Sequence, residues 1–254
     1  RLNDAFETLL FNSRVTRLDV SKRSVDVQIE GADGAASLAV DRVLVAIGRR
    51  PNTETLGLET AGVQLDEHGF IIVDNRQRTS IPHIYAIGDI VGGVMLAHKA
   101  MFEGKVAAEV IVGHPSAFDV QAIPAVVYTD PQIAWAGITE EDARKQGLAV
   151  AVEKFPWKFS GRALTTGTPA GLTKMIIDAG TRRVIGVGIT GRGAEGLIAE
   201  GVLAIEMGAL AEDVALSMHA HPTLSETEGE TAEIFLGAAT HILPKKVNNV
   251  SIPH

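Results

Sequence analysis

Not one cysteine occurs in the 254 residues. Every long-range tie in the fold must then be a packed or hydrogen-bonded one. Disulfides, thiolate metal sites and a cysteine nucleophile are excluded within this chain. The length suffices for one large domain or two small ones. Hydrophobic residues make up 46% and aromatics 5%, so the core is expected to be aliphatic and of α/β type. The formal net charge is -8, and no basic stripe offsets it, which argues against a nucleic-acid partner. No apolar run reaches the ~18 residues of a membrane span, and the start carries no signal-peptide pattern. The chain opens on Arg1 rather than Met, so it is expected to be a cut-down or processed piece.

Residues 1–12 read as the tail of a helix leading into Phe11. Val15, Leu18 and Val20, then Val25, Val27 and Ile29, alternate with polar residues. That period predicts two half-buried strands joined at Ser21-Lys22-Arg23. Gly31-Ala32-Asp33-Gly34 predicts a turn, and a third short strand leads to Asp41-Arg42. Strands in succession without crossover helices suggest an antiparallel meander. Val43-Leu44-Val45-Ala46-Ile47 reads as a buried strand stopping at Gly48, where a glycine would let a ligand approach the backbone. A plain strand-to-loop exit explains the same residues. Arg49-Arg50-Pro51-Asn52-Thr53 then reads as a domain junction.

Residues 54–83 are rich in turns, with one strand predicted at Phe70-Ile71-Ile72-Val73. In Thr79-Ser80-Ile81-Pro82-His83-Ile84-Tyr85-Ala86-Ile87-Gly88-Asp89 a buried strand, Ile84 to Ile87, ends at Gly-Asp. Ligands of α/β sheets bind outside the carboxyl ends of strands. Gly88 would admit one there and Asp89 would accept hydrogen bonds from its hydroxyls; the competing role for Asp89 is to close a turn. Met95 to Val112 has helical periodicity, and the N–H groups at its start suit a polar or anionic ring edge. His98 and Lys99, taken alone, read as ordinary surface residues.

Beyond a boundary at 116–123, strands are predicted at 125–128 and 133–136 around a Thr129-Asp130-Pro131-Gln132 turn. Further strands fall near 149–155, 172–178 and 184–190, the last two joined as a hairpin by Ala179-Gly180-Thr181-Arg182. Helices are predicted after Thr139, from Glu195 to Met207 and from Ala211 to Met218. Gly186-Val187-Gly188-Ile189-Thr190-Gly191 and the overlapping Gly191 to Gly196 both fit G-x-G-x-x-G. The strand before them belongs to a hairpin rather than a βαβ unit, so these glycines are expected to serve tight packing.

His219-Ala220-His221-Pro222-Thr223-Leu224-Ser225-Glu226 sets two histidines beside a proline, ahead of further carboxylates. Pro222 biases His221 away from the helical region. Thr223…Glu226 and Ser225…Glu228 both have capping-box spacing. His221 is therefore expected on an extended segment running into a helix. An imidazole beside a carboxylate is the usual equipment of a general base. In the competing reading Glu226 is only a capping residue and both histidines are loop polars. A hydrolase built on His221 and Ser225 is a poor reading, since the two stand four residues apart without a strand-turn nucleophile setting.

His-Ala-His-Pro-Thr-Leu-Ser-Glu resembles the C-terminal active-site signature of the dihydrolipoamide dehydrogenases, flavoenzymes of the pyridine nucleotide-disulfide oxidoreductase family. The run Thr79 to Asp89 resembles the second flavin-binding motif of the same family. The resemblance implies that His221 is the base and Glu226 orients it. It further implies that Gly88 and Asp89 meet the ribityl chain of FAD, that Met95, Leu96, Ala97 and His98 pack on the flavin, and that Gly48 lies near NAD. No metal is implied. The implied fold class is mixed α/β and α+β. Residues 1–48 would end an NAD-binding domain, 49–118 would return through the FAD-binding domain, and 119–254 would form a complete α+β interface domain.

This corresponds to the C-terminal half only, because both nucleotide fingerprints and the redox-active cysteine pair would lie ahead of Arg1. The implied activity is oxidation of dihydrolipoamide with NAD through FAD and a disulfide that this chain lacks, so the chain alone is expected to be inactive. A homodimer, a cytoplasmic location and a lipoyl-bearing acyltransferase of a 2-oxoacid dehydrogenase complex as partner follow from the same resemblance. The alternatives are a non-catalytic dimerisation fragment or part of a related reductase such as glutathione reductase. Leu224 within Pro-Thr-Leu-Ser-Glu, together with Thr129-Asp130-Pro131, looks more like the lipoamide enzymes. The lack of a C-terminal cysteine argues against a mercuric reductase.

Overall fold

The computed structural model describes residues 2–32 and 34–242, which fall into two compact units divided between Arg50 and Pro51. In the first unit a short helix α1 (Leu2–Ala5) precedes three strands, β1 (Arg14–Val20), β2 (Val25–Gly31) and β3 (Gly34–Val40). They form the expected antiparallel meander in the order β1-β2-β3. Ser21 closes the first hairpin: its hydroxyl donates to the Ser24 carbonyl at 2.9 Å and accepts the Ser24 N–H at 3.0 Å. In the second turn Asp33 lies outside the described residues.

Two expectations fail in this unit. The N-terminal helix stops at Ala5, and Phe6, Leu10 and Phe11 stay exposed. A helix this short, with no apolar face to pack, has little to hold it. Val43 to Ile47 forms no strand, and Leu44 and Ile47 are 93% and 94% exposed. An all-apolar strand needs a sheet covered on both faces. The described part of the unit offers only a meander in which Val27 is the single buried apolar residue.

The second unit begins with loops. α2 (Leu58–Ala61) is one turn long, bounded by Gly57 and Gly62 in the left-handed region. Asp66 and Asp74 each accept two backbone N–H groups, from His68 and Phe70 and from Arg76 and Arg78. Such turns compete with sheet ladders. The strands predicted at 70–73 and 84–87 are accordingly reduced to single bridges, Leu65 with Ile71 and Arg78 with Tyr85. The Ile71 and Ile72 N–H groups go to Ile90 and Gln64 on different segments, so no ladder can propagate. A small core of Val63, Ile71 and Ala86 holds these loops. α3 (Ala97–Ile111) follows, one residue or two inside the predicted bounds at either end.

The remainder is a five-stranded antiparallel sheet of β4 (Ala125–Val127), β5 (Ile133–Gly137), β6 (Val150–Pro156), β7 (Leu172–Asp178) and β8 (Val184–Thr190), in the order β4-β5-β8-β7-β6. α4 (Glu140–Lys145) is capped by Thr139, and α5 (Gly161–Thr165) by Ser160. α6 (Ala194–Glu206) packs on β5 and β8, α8 (Glu226–Leu236) packs on β6 and β7, and α7 (Ala211–Leu216) packs on α8. The core between them includes Phe155, Trp157, Met175, Ile177, Ile189 and Ile198. The glycines of the fingerprint-like stretch serve this packing. A Cβ on Gly186 would stand 2.1 Å from the Ile138 carbonyl oxygen, and one on Gly191 would stand 2.2 Å from the Trp157 ring. Among the described residues no helix is long and apolar enough to cross a membrane.

Candidate active site

The loop between α7 and α8 carries the histidine pair, and α8 fixes where it ends. A buried hydrogen-bonded thread positions that helix start. The Trp157 indole N–H donates to Thr173 Oγ1 at 2.9 Å, Thr173 and Thr227 share a bond of 2.7 Å, and Thr227 Oγ1 donates to the Leu224 carbonyl at 2.7 Å. Buried hydroxyls without partners would be costly, so the thread sets α8 against β7 in one register. Glu226 follows directly from it as the first residue of α8.

Neither predicted capping box closes. Ser225 makes no side-chain cap and has helical φ and ψ. Thr223 turns its hydroxyl back to the Ala220 carbonyl, 2.7 Å away. Glu226 supplies half of one box, accepting the Thr223 N–H on Oε2 at 2.6 Å. Its other oxygen, Oε1, stands 2.8 Å from His221 Nδ1. His221 lies at a bend five residues before α8 begins at Glu226, so the segment does not run straight into the helix.

The dyad's electrostatics follow from these contacts. Partial burial pushes the Glu226 carboxyl up, but the Thr223 N–H, the bond to His221 and the charges of His221 and His241 together hold it below its ordinary value. An ionised carboxylate only accepts hydrogen bonds, so Nδ1 of a neutral His221 carries the hydrogen and Nε2 is the basic nitrogen. The His221 side chain is 70% exposed against 24% for Glu226, so the imidazole meets solvent while its partner is anchored. The dyad shares a cleft with Phe155, Phe159, Glu230 and His241.

Two more imidazole–carboxylate pairs escaped the sequence reading. His219 Nε2 lies 2.6 Å from Glu200 Oε1 on α6, and His241 Nδ1 bonds Glu230 Oε1. Their partners stand 19 and 11 residues apart, beyond any local pattern. Glu228, read above as a possible capping residue, is instead buried. Burial, with Glu200 adding to it, pushes its carboxyl up to about 8, and its Oε1 has no hydrogen-bond partner.

The second candidate region is the turn before α3. Gly88 opens a 3-10 turn, Gly88–Val91, with φ of +82°, and a Cβ there would stand 3.3 Å from the Ala100 Cβ. Asp89 is exposed on this turn, Met95 and Leu96 are half-buried, and Ala97 and His98 are exposed. His98 Nε2 lies 2.7 Å from the Pro124 carbonyl oxygen. No side chain caps α3, which leaves its first N–H groups for a ligand or water. A carboxylate acceptor and an uncapped helix start fit a ligand with hydroxyls and a polar ring edge, as the FAD assignment requires, while the missing Cβ of the buried Gly88 makes room for Ala100 of α3. Lys99, read above as an ordinary surface residue, is instead buried, and Glu103 was missed: they are 8% and 3% exposed and ion-paired at 2.6 Å. Their signal was their phase, since 99, 103, 106, 107 and 110 form the buried stripe of α3. Gly48 belongs to the first unit, with φ of +121° and open space around it. Among the described residues no group of three or more acidic or histidine side chains could hold a metal ion.

Fold and dyad define a class. The pyridine nucleotide-disulphide oxidoreductase model matches residues 8–104, and the dimerisation-domain model of the same family matches residues 123–232. The chain belongs to the pyridine nucleotide-disulphide oxidoreductase family. Within it, the chain is 48% identical to the dihydrolipoyl dehydrogenase of Vibrio parahaemolyticus over 247 residues, covering 97% of this chain and 52% of that protein. It is 53% identical to the dihydrolipoyl dehydrogenase of Thermus scotoductus over 219 residues, covering 85% and 47%. Among solved structures it is similar to LpdA from Mycobacterium tuberculosis, with a TM-score of 0.80 at 28% identity, covering 88% of this chain and 48% of that one. It is also similar to the HOCl-induced flavoprotein disulfide reductase RclA from Escherichia coli, with a TM-score of 0.77 at 27% identity, covering 87% and 50%. The chain spans about half the length of the curated relatives it matches.

Proposed function

We propose that the chain is the C-terminal half of an NAD-dependent dihydrolipoyl dehydrogenase, with His221 as the base that serves its thiol substrate. The observation that carries this reading is the His221–Glu226 dyad, a bond of 2.8 Å on an anchored carboxylate with the imidazole in solvent. Nε2 takes the proton of a dihydrolipoamide thiol, because the thiolate is the competent nucleophile in disulfide exchange. Glu226 holds the ring and stabilises the imidazolium that results. The disulfide under attack comes from outside this chain, which has no cysteine.

When bound, FAD and NAD supply the two-electron transfer. Asp89 and the start of α3 would hold the ribityl chain and ring edge of the flavin, and Gly48 would stand near NAD. On this reading residues 1–48 end the NAD domain, 49–118 belong to the FAD domain and 119–254 form the interface domain. Support for a homodimer comes from the dimerisation-domain match and from the exposed Leu203 of α6 and Met207 at its C-terminal cap. The reading also includes a cytoplasmic location and a lipoyl-bearing acyltransferase as partner; the name shared by the curated relatives supports the dihydrolipoyl substrate.

In the full-length enzyme, His221→Gln should slow reduction by dihydrolipoamide by at least ~10²-fold, the usual cost of losing a general base. NADH oxidation by an artificial acceptor should survive, and Glu226→Gln should be milder than His221→Gln. Stopped-flow measurement of the two half-reactions separates them. Equal slowing of both would make His221 structural.

A further inference from the structure

A buried ion pair grips both ends of the turn that carries Asp89. Lys99 Nζ lies 2.6 Å from Glu103 Oε1 and donates to the Gly92 carbonyl at 3.1 Å. Glu103 uses its second oxygen, Oε2, to accept the Gly88 N–H at 2.7 Å. Two side chains one helical turn apart on α3 thus hold the first residue of the turn by its N–H and the residue just after it by its carbonyl. Gly88 and Gly92 have φ of +82° and +79°, a region that glycine leaves as easily as it enters. Without the pair, the turn has a glycine hinge at each end.

Burying an ammonium and a carboxylate costs more than their attraction returns unless the remaining donors and acceptors are also met. An apolar pair in the same space would remove that desolvation cost, but would leave the Gly88 N–H and the Gly92 carbonyl without their side-chain partners. What an apolar pair cannot do is bind a backbone N–H and a backbone carbonyl at once. The return on this ion pair is geometric: it fixes the turn, and so Asp89, relative to the uncapped start of α3.

We infer that Lys99 and Glu103 are positioning residues of the flavin site, acting through the Gly88 and Gly92 backbone to hold Asp89 and the first N–H groups of α3 in one frame. This rests on the reading that FAD lies on those groups. Pre-organisation of this kind is read as affinity, since a ligand that must first order its site binds more weakly.

The test uses the full-length enzyme with Lys99→Met, Glu103→Gln and the double variant Lys99→Met/Glu103→Leu. The FAD dissociation constant is measured by recovery of flavin fluorescence, apoprotein Tm by calorimetry and Gly88 amide exchange by NMR. Each single variant should raise the dissociation constant at least about tenfold. The double variant should regain part of the apoprotein Tm lost in the single variants, because no lone buried charge remains, yet keep the weakened FAD binding. FAD affinity within about twofold of wild type in the double variant would overturn the inference and leave the pair a packing feature. Failure of the wild-type enzyme to bind FAD would instead overturn the cofactor reading. The clamp would then be judged on the Gly88 amide alone, expected to exchange about tenfold faster in Glu103→Gln; an unchanged rate would overturn it.

Discussion

The loops of residues 57–93 and the sheet domain of residues 123–236 both carry candidate site residues, but they are held in different ways. The loops have three buried apolar residues, single bridges in place of ladders, and side-chain clamps such as Asp66, Asp74 and the Lys99–Glu103 pair. The sheet domain has a continuous ladder of five strands, helices packed on it and a core centred on Trp157. Local hydrogen bonds can shape a turn without a core, but they stabilise it only modestly. A sheet with helices on it supports its own site. The dyad therefore stands on structure that this chain supplies, while the Gly88–Asp89 turn depends on a few polar contacts.

The sharpest test of that contrast is pH. The Glu228 carboxyl is raised from 4.5 to about 8 in the folded chain. Its proton uptake on folding stabilises the native state fully below the unfolded value, and that contribution is lost as pH rises toward and through 8. Glu228→Gln should leave stability near pH 4 almost unchanged and raise it at pH 9 by on the order of 4 kcal/mol. Residue-resolved hydrogen exchange should show the gain in 123–236 and not in 57–93. A gain equal at both pH values would mean that Glu228 is not protonated in the fold.

Glycine substitutions probe packing in the two regions. Gly186→Ala forces a Cβ against the Ile138 carbonyl and should cost about 3 kcal/mol, read as a fall in Tm. Gly57→Ala meets open space at φ of +65° and should cost only about 1 kcal/mol of left-handed strain. Comparable losses would erase the distinction between core-held and clamp-held segments.

A smaller effect than that at Gly186 concerns the thread. Thr227→Val strands the Thr173 hydroxyl and should cost about 2 kcal/mol, measured by urea denaturation. Thr227→Ser should restore most of that loss. Recovery absent in the serine variant would assign the cost to packing rather than to hydrogen bonding.

What the sequence made legible follows the same division. β7 and β8 fall on the predicted residues, 172–178 and 184–190, because both partners of their hairpin are close in sequence and both strands are rich in buried apolar residues. His221 and Glu226 were legible because five residues separate them. The strands predicted at 43–47, 70–73 and 84–87 did not form, since an apolar run states only that it wants burial, not that a neighbour is present to pair with it. Glu228 was invisible for a related reason. Its burial depends on β6, β7 and α7 packed around α8, and no local spacing reports that.

The thread from Trp157 has one further consequence. An indole N–H can only donate, and Thr227 commits its single hydrogen to the Leu224 carbonyl. Thr173 must therefore pass its own hydrogen to Thr227, and every bond in the series points the same way. A one-way series that starts at a group with no proton to give up cannot conduct; it is a strut and not a wire. If His221 is the base proposed above, a proton collected at its Nε2 has no exit along this path, and the exposed face of the imidazole is its direct route to solvent. Turnover would then respond to the buffer bathing that face, and not to the hydroxyls behind it.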